Sequence, residues 1–342
     1  MLRRLVNTFS ILIGIGLIGL ALGATPASAV SIDFGVAAEY NTFILGNFSG
    51  SSDTQGKLAV GGNATLQHYS VGDQLPFNTT GNTLVVGGNL NYQGGRVYYG
   101  NVAVGGSSTI DQGVYWGLRN NGQTLTANMG ASLPIDFTAA GQYLRNLSTS
   151  LATLAATGTA TSQWGGMFLT GDGTSDLQVF YVDGALLSSA TWWNALASIP
   201  SDAHILLNIM GKNVTMTGGQ QVLASMSDRV LFNFYEAETL QIYGISVEGS
   251  ILAPMADIIR AEGVIQGQLI AKSMTGSLQQ NLNLYDPYNP GGGGGGNPPT
   301  AATPEPGSLL LLGSGLAALL GWNRRRRGLG GDALSRSLAA HP

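Results

Sequence analysis

The residues able to do chemistry in this chain are few, and they do not gather into a catalytic set. Residues 30–303 hold 17 acidic side chains against 8 basic ones. Glycoside hydrolysis needs two carboxylates a fixed distance apart, and Glu236, Glu238, Asp257 and Glu262 are the candidates. None sits in a catalytic signature, and Glu236 and Glu238, next but one to each other in a β-like stretch, fall on one face as a solvated strand edge would place them. His68 and His204 have no Ser or acid motif around either, and both read as structural. There is no Gly-x-Ser-x-Gly nucleophile elbow and no phosphate-binding loop. The chain has no Cys, which removes disulfides and Cys-ligated metals. For Ca²⁺, the oxygen donors of choice are Asp172 and Asp176 in Gly171-Asp172-Gly173-Thr174-Ser175-Asp176. That segment lacks a twelve-residue loop and its closing Glu, so a plain Asp-Gly turn is the first reading and Ca²⁺ the open alternative. No catalytic residue and no cofactor is assigned.

Two residue types could work by contact. Tyr92, Tyr98, Tyr99, Tyr115 and Trp116 cluster in one stretch, and exposed aromatic rings stack on sugars, although packing in and over a β core is the first reading. A flat ice-binding face would need aligned Thr, and Thr215-Met216-Thr217 is a single Thr-x-Thr instance.

The elements that position these residues follow from composition. With 51 Gly in 342 residues, 44% hydrophobic and 10% charged side chains, the chain has material for a large core and many tight turns. The acidic body excludes a nucleic-acid partner, since phosphate binding needs a basic face. The bases concentrate at the ends: Arg3, Arg4, Arg324 to Arg327 and Arg336. At the N-terminus Arg3 and Arg4 precede an apolar run, and Ala27-Ser28-Ala29 forms a small-residue cleavage box. Residues 1–29 are therefore expected to be a signal peptide, cut by signal peptidase after Ala29. Near the other end six Gly and several Pro make 289–303 a flexible linker. Then come Pro304-Glu305-Pro306, an apolar run from Gly307 to Trp322, and Arg324, Arg325, Arg326 and Arg327. The run predicts a single transmembrane helix, short for a bilayer of about 30 Å, with the Arg cluster holding its end in the cytoplasm and 328–342 as a cytoplasmic tail.

This order of features resembles the PEP-CTERM sorting signal of Gram-negative bacteria, over residues 304–327. The resemblance implies processing by an exosortase near Pro304-Glu305-Pro306 and association with extracellular polysaccharide or biofilm. The tail from Gly328 to Pro342 departs from the pattern by continuing past the basic cluster.

Between the ends, 30–288 is expected to be one mainly β domain. Leu58-Ala59-Val60-Gly61-Gly62-Asn63 recurs as Leu84-Val85-Val86-Gly87-Gly88-Asn89 and as Val102-Ala103-Val104-Gly105-Gly106-Ser107. Val247 to Ala253 is echoed by Ile265 to Ala271, at the same spacing that separates the last two of those copies. A period of about 18 residues suits one coil of a three-sided β-solenoid, a right-handed β-helix, with Gly turning the corners through positive φ. A sandwich is the alternative. Phe137, Ala140, Leu144, Leu147, Leu151 and Leu154 step by three and four, which predicts a lateral α-helix within 132–157 packed on the β body. A second helix is expected around 188–198.

The opening Asn41 to Phe48 and Ser51 to Asn63, with the closing Val230 to Phe234, Gly249 to Pro254 and Lys272 to Gly276, resemble the choice-of-anchor A domain. Together these segments bracket residues 33–285. The resemblance implies an adhesive domain related to the β-solenoids of ice-binding-like adhesins, with no established ligand. The expectation is an exported, non-enzymatic adhesin of the cell surface or biofilm matrix, its partner an extracellular polysaccharide or cell-surface ligand. An ice-binding protein and, behind it, a polysaccharide-active enzyme are the alternatives.

Overall fold

A computed structural model describes residues 30–290. The expected signal peptide with Ala27 and Ala29, nearly all of the expected linker, Pro304-Glu305-Pro306, the apolar run, the Arg cluster and the expected tail lie outside the described residues. Among the described residues, no helix is long and apolar enough to cross a membrane.

The fold is mainly β with few helices. Among the described residues, seventeen strands form one sheet system and three form a second. Every pairing in the larger system is parallel, and the pairs fall into three rows of stacked strands. Row A contains Thr42–Ile44, Leu58–Val60, Asn82–Val86, Asn101–Val104 and Leu125–Thr126, followed on the other side of Thr42–Ile44 by the first residues of Leu269–Asn281 and Ser250–Gln266, then Val230–Asn233, His204–Met210 and Leu177–Asp183. Row B contains Phe48–Gly50, Ala64 to Gln67, Leu90 to Gln93, Ser108–Ile110, Ser273 to Gly276, Asp257 to Ala261, Thr239 to Ile242 and Asn213–Met216, and row C contains Asp53–Thr54, Tyr69 to Val71, Gly95 to Val97, Leu278 to Asn281, Gly263 to Ile265 and Ile245 to Val247. The repeats found in the sequence are stacked neighbours: Leu84 pairs with Val102, and Val247 with Ile265. Other coils are longer. Leu58 pairs with Leu84 across a wider interval, because excursions leave at the corners without disturbing register.

Alternation along row A divides its side chains between two cores. Leu58, Val60, Leu84, Val86, Val102 and Val104 point inward to the shared core. Phe43, Ala59, Val85, Ala103, Leu252 and Ile270 point outward yet are buried, because the chain from 127 to 151 crosses over them. That cover includes helix α2; α1 is Gln112–Asn120, α2 Phe137–Leu151 and α3 Gly184–Ser189. α2 is the lateral helix expected from the spacing of its apolar residues. Asp136 caps its start, accepting from the Thr138 and Ala139 amides at 3.0 Å. Its 15 residues span about 22 Å, close to the five strand steps, about 24 Å, that separate Phe43 from Tyr181 along row A. The same outward column turns polar where the helix ends. Asn233 Nδ2 donates to the Ser148 carbonyl at 2.9 Å and to Asn208 Oδ1 at 2.8 Å, while Asn208 Nδ2 donates to the Leu151 carbonyl at 2.9 Å. Tyr181 Oη lies 2.8 Å from the Ala152 carbonyl and 2.6 Å from the Leu154 carbonyl, its single proton shared between them. The orphan carbonyls of a helix C-terminus thus find their donors on the sheet.

Two expectations need correction. The stretch expected as a second helix, 188–198, is mostly the strand Trp192–Ala197, which pairs with Gly166–Thr170; α3 ends at Ser189. Trp192 and Trp193 alternate as strand residues do: Trp193 is buried against Phe232 at 5.9 Å, and Trp192 faces out over Gly166. The repeated Gly-Gly corners also work differently from expectation. Gly61, Gly62, Gly87, Gly88, Gly105 and Gly106 are absent from the positive-φ residues; what they supply is closeness. A Cβ on Gly87 would sit 2.2 Å from the Gly61 carbonyl oxygen, and one on Gly105 2.2 Å from that of Gly87. Beside them runs an Asn ladder, in which Asn47, Asn63 and Asn89 each accept from the backbone amide one coil on, at 2.8–2.9 Å. Positive φ falls at the other corners instead: at His68, Gly94 and Gly244 between rows B and C, and at Gly72, Gly81, Gly100 and Gly249 on the way into row A.

The substitution Gly87→Ala should therefore cost more than about 2 kcal/mol, because backbone must move. Gly81→Ala, at φ +79° with nothing within 4 Å, should cost only about 1 kcal/mol. Chemical denaturation of the two variants measures the difference.

Candidate functional site

The acidic candidates are each committed to a structural partner. Glu236 and Glu238 lie in the bend between Val230–Asn233 and Thr239–Val247, not on a strand face as expected. Glu236 Oε1 accepts from the Gly211 amide at 2.6 Å, and Glu238 pairs with Lys212 Nζ at 2.7 Å. Asp257 accepts from Lys272 Nζ at 2.7 Å and Ser273 Oγ at 2.6 Å. Those partners hold its carboxyl below the ordinary range despite partial burial. Glu262 takes two hydrogen bonds from Arg260, at 3.1 and 3.0 Å, and the Arg260 guanidinium stacks on Tyr243 at 3.8 Å. The Asp172 carboxylate accepts from the Thr174 and Ser175 amides at 2.9 Å, from Gln178 Nε2 at 2.7 Å and from Ser175 Oγ. These donors push its pKa well down. Asp176 contributes its backbone carbonyl to the His204 amide at 2.8 Å.

One acid behaves differently, and its partner comes from the next coil. Asp53 and Asp73 come together beside row C, each with an Oδ1 that is buried without a hydrogen-bond partner. Burial first, and the Asp73 charge second, raise the Asp53 pKa. No sequence pattern joins these two residues; the stacking of coils does.

Of the aromatic cluster, Tyr92 is core: it is 1% exposed, and its hydroxyl donates to the Tyr69 carbonyl at 2.5 Å. The remainder gathers at one end of the stack, around α1. Asp111 caps this helix, accepting from the Val114 amide at 2.7 Å, and Val114 and Leu118 bury against the last coils. Tyr115 and Trp116 remain exposed, Arg119 lies over Trp116, and Arg96 lies over Tyr98 at 4.8 Å.

The outer side of row B is an open surface. Its strands place Thr275, Ser49, Thr65, Asn91 and Thr109 opposite one another in a single column. Thr65 is half-buried and the other four are exposed. Beside them Gln67 pairs with Gln93. At about 4.8 Å per step the column runs about 19 Å, uncharged and made of hydroxyls and amides. Sequence reading missed it because coils of unequal length space Ser49, Thr65, Asn91 and Thr109 unevenly along the chain. Thr215, from the lone Thr-x-Thr, lies further along row B opposite Gln241.

His204 is structural. Its ring packs edge-on to Tyr285 and Tyr288, at 5.8 and 5.3 Å, and Nε2 meets the Asp286 carbonyl at 2.9 Å. Burial is the main cause of its lowered pKa, so the folded state favours the neutral ring. The stability this gives is complete above the ordinary pKa of about 6.5 and is lost as pH falls through that value towards the folded one. Between about pH 7.5 and 5 the melting temperature of the wild type should therefore drop further than that of His204→Asn, read by calorimetry. His68 is exposed at the positive-φ corner, its ring over Gly94.

Two family models match the chain. Residues 33–282 match the one described as "Putative Ice-binding-like adhesive domain", and residues 302–327 match the PEP-CTERM protein-sorting motif. No curated protein matches the chain. Among solved structures, the ice-binding protein of the Antarctic ascomycete Antarctomyces psychrotrophicus is 14% identical with a TM-score of 0.31, over 75% of this chain and 100% of that one. An ice-binding protein from an Antarctic bacterium, Flavobacteriaceae, is 14% identical with a TM-score of 0.29, over 73% of this chain and 47% of that one, so the chain spans about half its length. The sorting motif implies processing by an exosortase during export to the cell envelope. By the match across most of its length, the chain belongs to the ice-binding-like adhesive domain family.

Proposed function

We propose that the protein is a non-enzymatic adhesin, displayed at the cell surface or in the extracellular matrix of a Gram-negative bacterium, and that residues 30–288 are a right-handed β-solenoid acting by contact. Three rows of parallel strands, with Leu84 stacked on Val102 and Val247 on Ile265, support the solenoid. The observation that carries the adhesive reading is the open face of row B. A rigid parallel stack holds an uncharged column of hydroxyl and amide groups in register from Thr275 to Thr109, while the corresponding face of row A is closed by α2. A preorganised flat face loses little conformational entropy on contact. The same Thr in register favour a second reading, ice binding, because they form a flat, regularly spaced hydroxyl surface; thermal hysteresis of the purified protein tests it directly.

On the adhesive reading, Thr65→Lys puts an ammonium in the middle of the column. It should reduce adhesion of expressing cells to biofilm matrix by roughly tenfold with an unchanged melting temperature. Adhesion equal to that of the wild type would remove row B from the function.

The rest of the chain supports display. Signal peptidase cuts after Ala29, the Gly-rich linker 289–303 serves as a tether, and Gly307 to Trp322 spans the membrane until exosortase acts near Pro304-Glu305-Pro306. Arg324 to Arg327 hold the orientation, with 328–342 as the cytoplasmic tail. Mass spectrometry of the chain from cells with and without exosortase should show a C-terminus near Pro304-Glu305-Pro306 only in the former. A C-terminus at Pro342 in both would leave a plain membrane anchor.

A further inference from the structure

A second surface lies apart from row B, on the small sheet. Thr159–Gln163 and Gly166–Thr170 form an antiparallel hairpin, with Trp192–Ala197 parallel beside it. The hairpin closes through Trp164 and Gly165, at φ +52° and +77°. Positive φ at both positions is the type I′ arrangement, which favours Asn-Gly because Asn tolerates the left-handed region and a bulky ring does not. Trp164 occupies the unfavourable first place and is 85% exposed. A strained residue that gains no burial points to a use outside the fold.

Trp164 also leads a run of rings. Phe168 lies edge-on to it at 6.4 Å, and Trp192 edge-on to Phe168 at 5.7 Å. The Trp192 indole rests on Gly166, where a Cβ would stand 2.6 Å from ring atoms, so only Gly lets the ring lie there. Register then interleaves polar groups with the rings: Thr161 is opposite Phe168, Gln163 opposite Gly166, and Thr159 opposite Thr170. The three strands and their turn contain no ionisable residue. Ring faces take the C–H faces of sugars, and neighbouring hydroxyl and amide groups take their hydroxyls. The absence of fixed charge disfavours uronic or sulfated chains, which need basic partners.

We infer that Trp164, Phe168 and Trp192 form a platform for a neutral polysaccharide, a site separate from row B. The inference deepens the adhesive reading and rests on it for its biological sense, but its test is independent. The full chain is titrated with cellohexaose, as a neutral glycan, and with hexagalacturonate, as an acidic one, following tryptophan fluorescence. Cellohexaose should bind and hexagalacturonate should not. Trp164→Asn suits the turn better than the native residue, so it should keep or raise the melting temperature while weakening cellohexaose binding by roughly tenfold or more. Thr65→Lys should leave this binding intact. Failure of cellohexaose to bind, equal binding of hexagalacturonate, or an unweakened Trp164→Asn variant overturns the platform. If cells carrying the wild-type chain still adhere in that event and Thr65→Lys abolishes adhesion, the adhesive reading survives alone. If wild-type cells adhere to no matrix, that reading falls whatever the titration gives.

Discussion

The whole molecule depends on one seam. The coils formed by residues 42–126 and those formed by 177–281 approach from opposite ends of the stack, and they meet where Thr42–Ile44 pairs in parallel with Leu269 to Ala271. The join continues at Phe48 with Met274 and at Thr54 with Gln280. Without it, two parallel edges and the interior between them would face water. Fully buried polar side chains stitch it. Asn41 Nδ2 donates to the Gly267 and Asn281 carbonyls at 3.0 Å. Gln268 Nε2 reaches the Tyr40 carbonyl at 2.7 Å. Gln280 Oε1 accepts from Thr54 Oγ1 and Tyr69 Oη at 2.7 Å, and burial keeps the Tyr69 phenol neutral and able to donate. Such groups are costly when unpaired, so the network specifies one register for the seam and penalises slippage.

Closing the seam requires the chain to travel. After Leu125–Thr126 it must reach the far end of the stack before it can coil back, and 127–151 carries it there along the outer face of row A. This explains why α2 is amphipathic on the side that meets the sheet and why Asn233, Asn208 and Tyr181 stand ready at its end. The return also brings the ends of the body together, since Ile32 and Tyr288 exchange backbone hydrogen bonds at 2.8 and 3.2 Å.

What the sequence disclosed and what it hid follow from the same geometry. The echoes of Leu84 in Val102 and of Val247 in Ile265 are legible because those coils carry no excursion. α2 is legible because its apolar stripe keeps one period for four turns. α1 escaped notice: Gly113 and Gly117 weaken its propensity, and only Val114 and Leu118 mark its buried side. The helix expected at 188–198 had no apolar period behind it, and strand pairing sets Trp192 and Trp193 on opposite faces. The Gly-Gly corners were recognised as corners but for the wrong reason, since a close backbone approach and a left-handed turn both demand Gly and only coordinates tell them apart. Column-forming residues were invisible in principle. Ser49, Thr65, Asn91 and Thr109 become neighbours through register, and coils of unequal length erase their spacing from the linear sequence.

Coils of unequal length also shape how such a fold acquires function. Excursions leave at corners, so insertions change the distance along the chain between facing residues without changing the distance in space, which stays near about 4.8 Å. Selection can therefore compose a periodic outer face one coil at a time, with no periodic sequence. On row B the column mixes Thr with Ser and Asn, and Gln67 and Gln93 flank it. Amide groups present donors and acceptors in fixed directions, as recognition of a patterned polar ligand requires, whereas a surface of Thr alone would present identical methyl and hydroxyl groups. The mixed column is the feature of row B on which the two proposed readings differ.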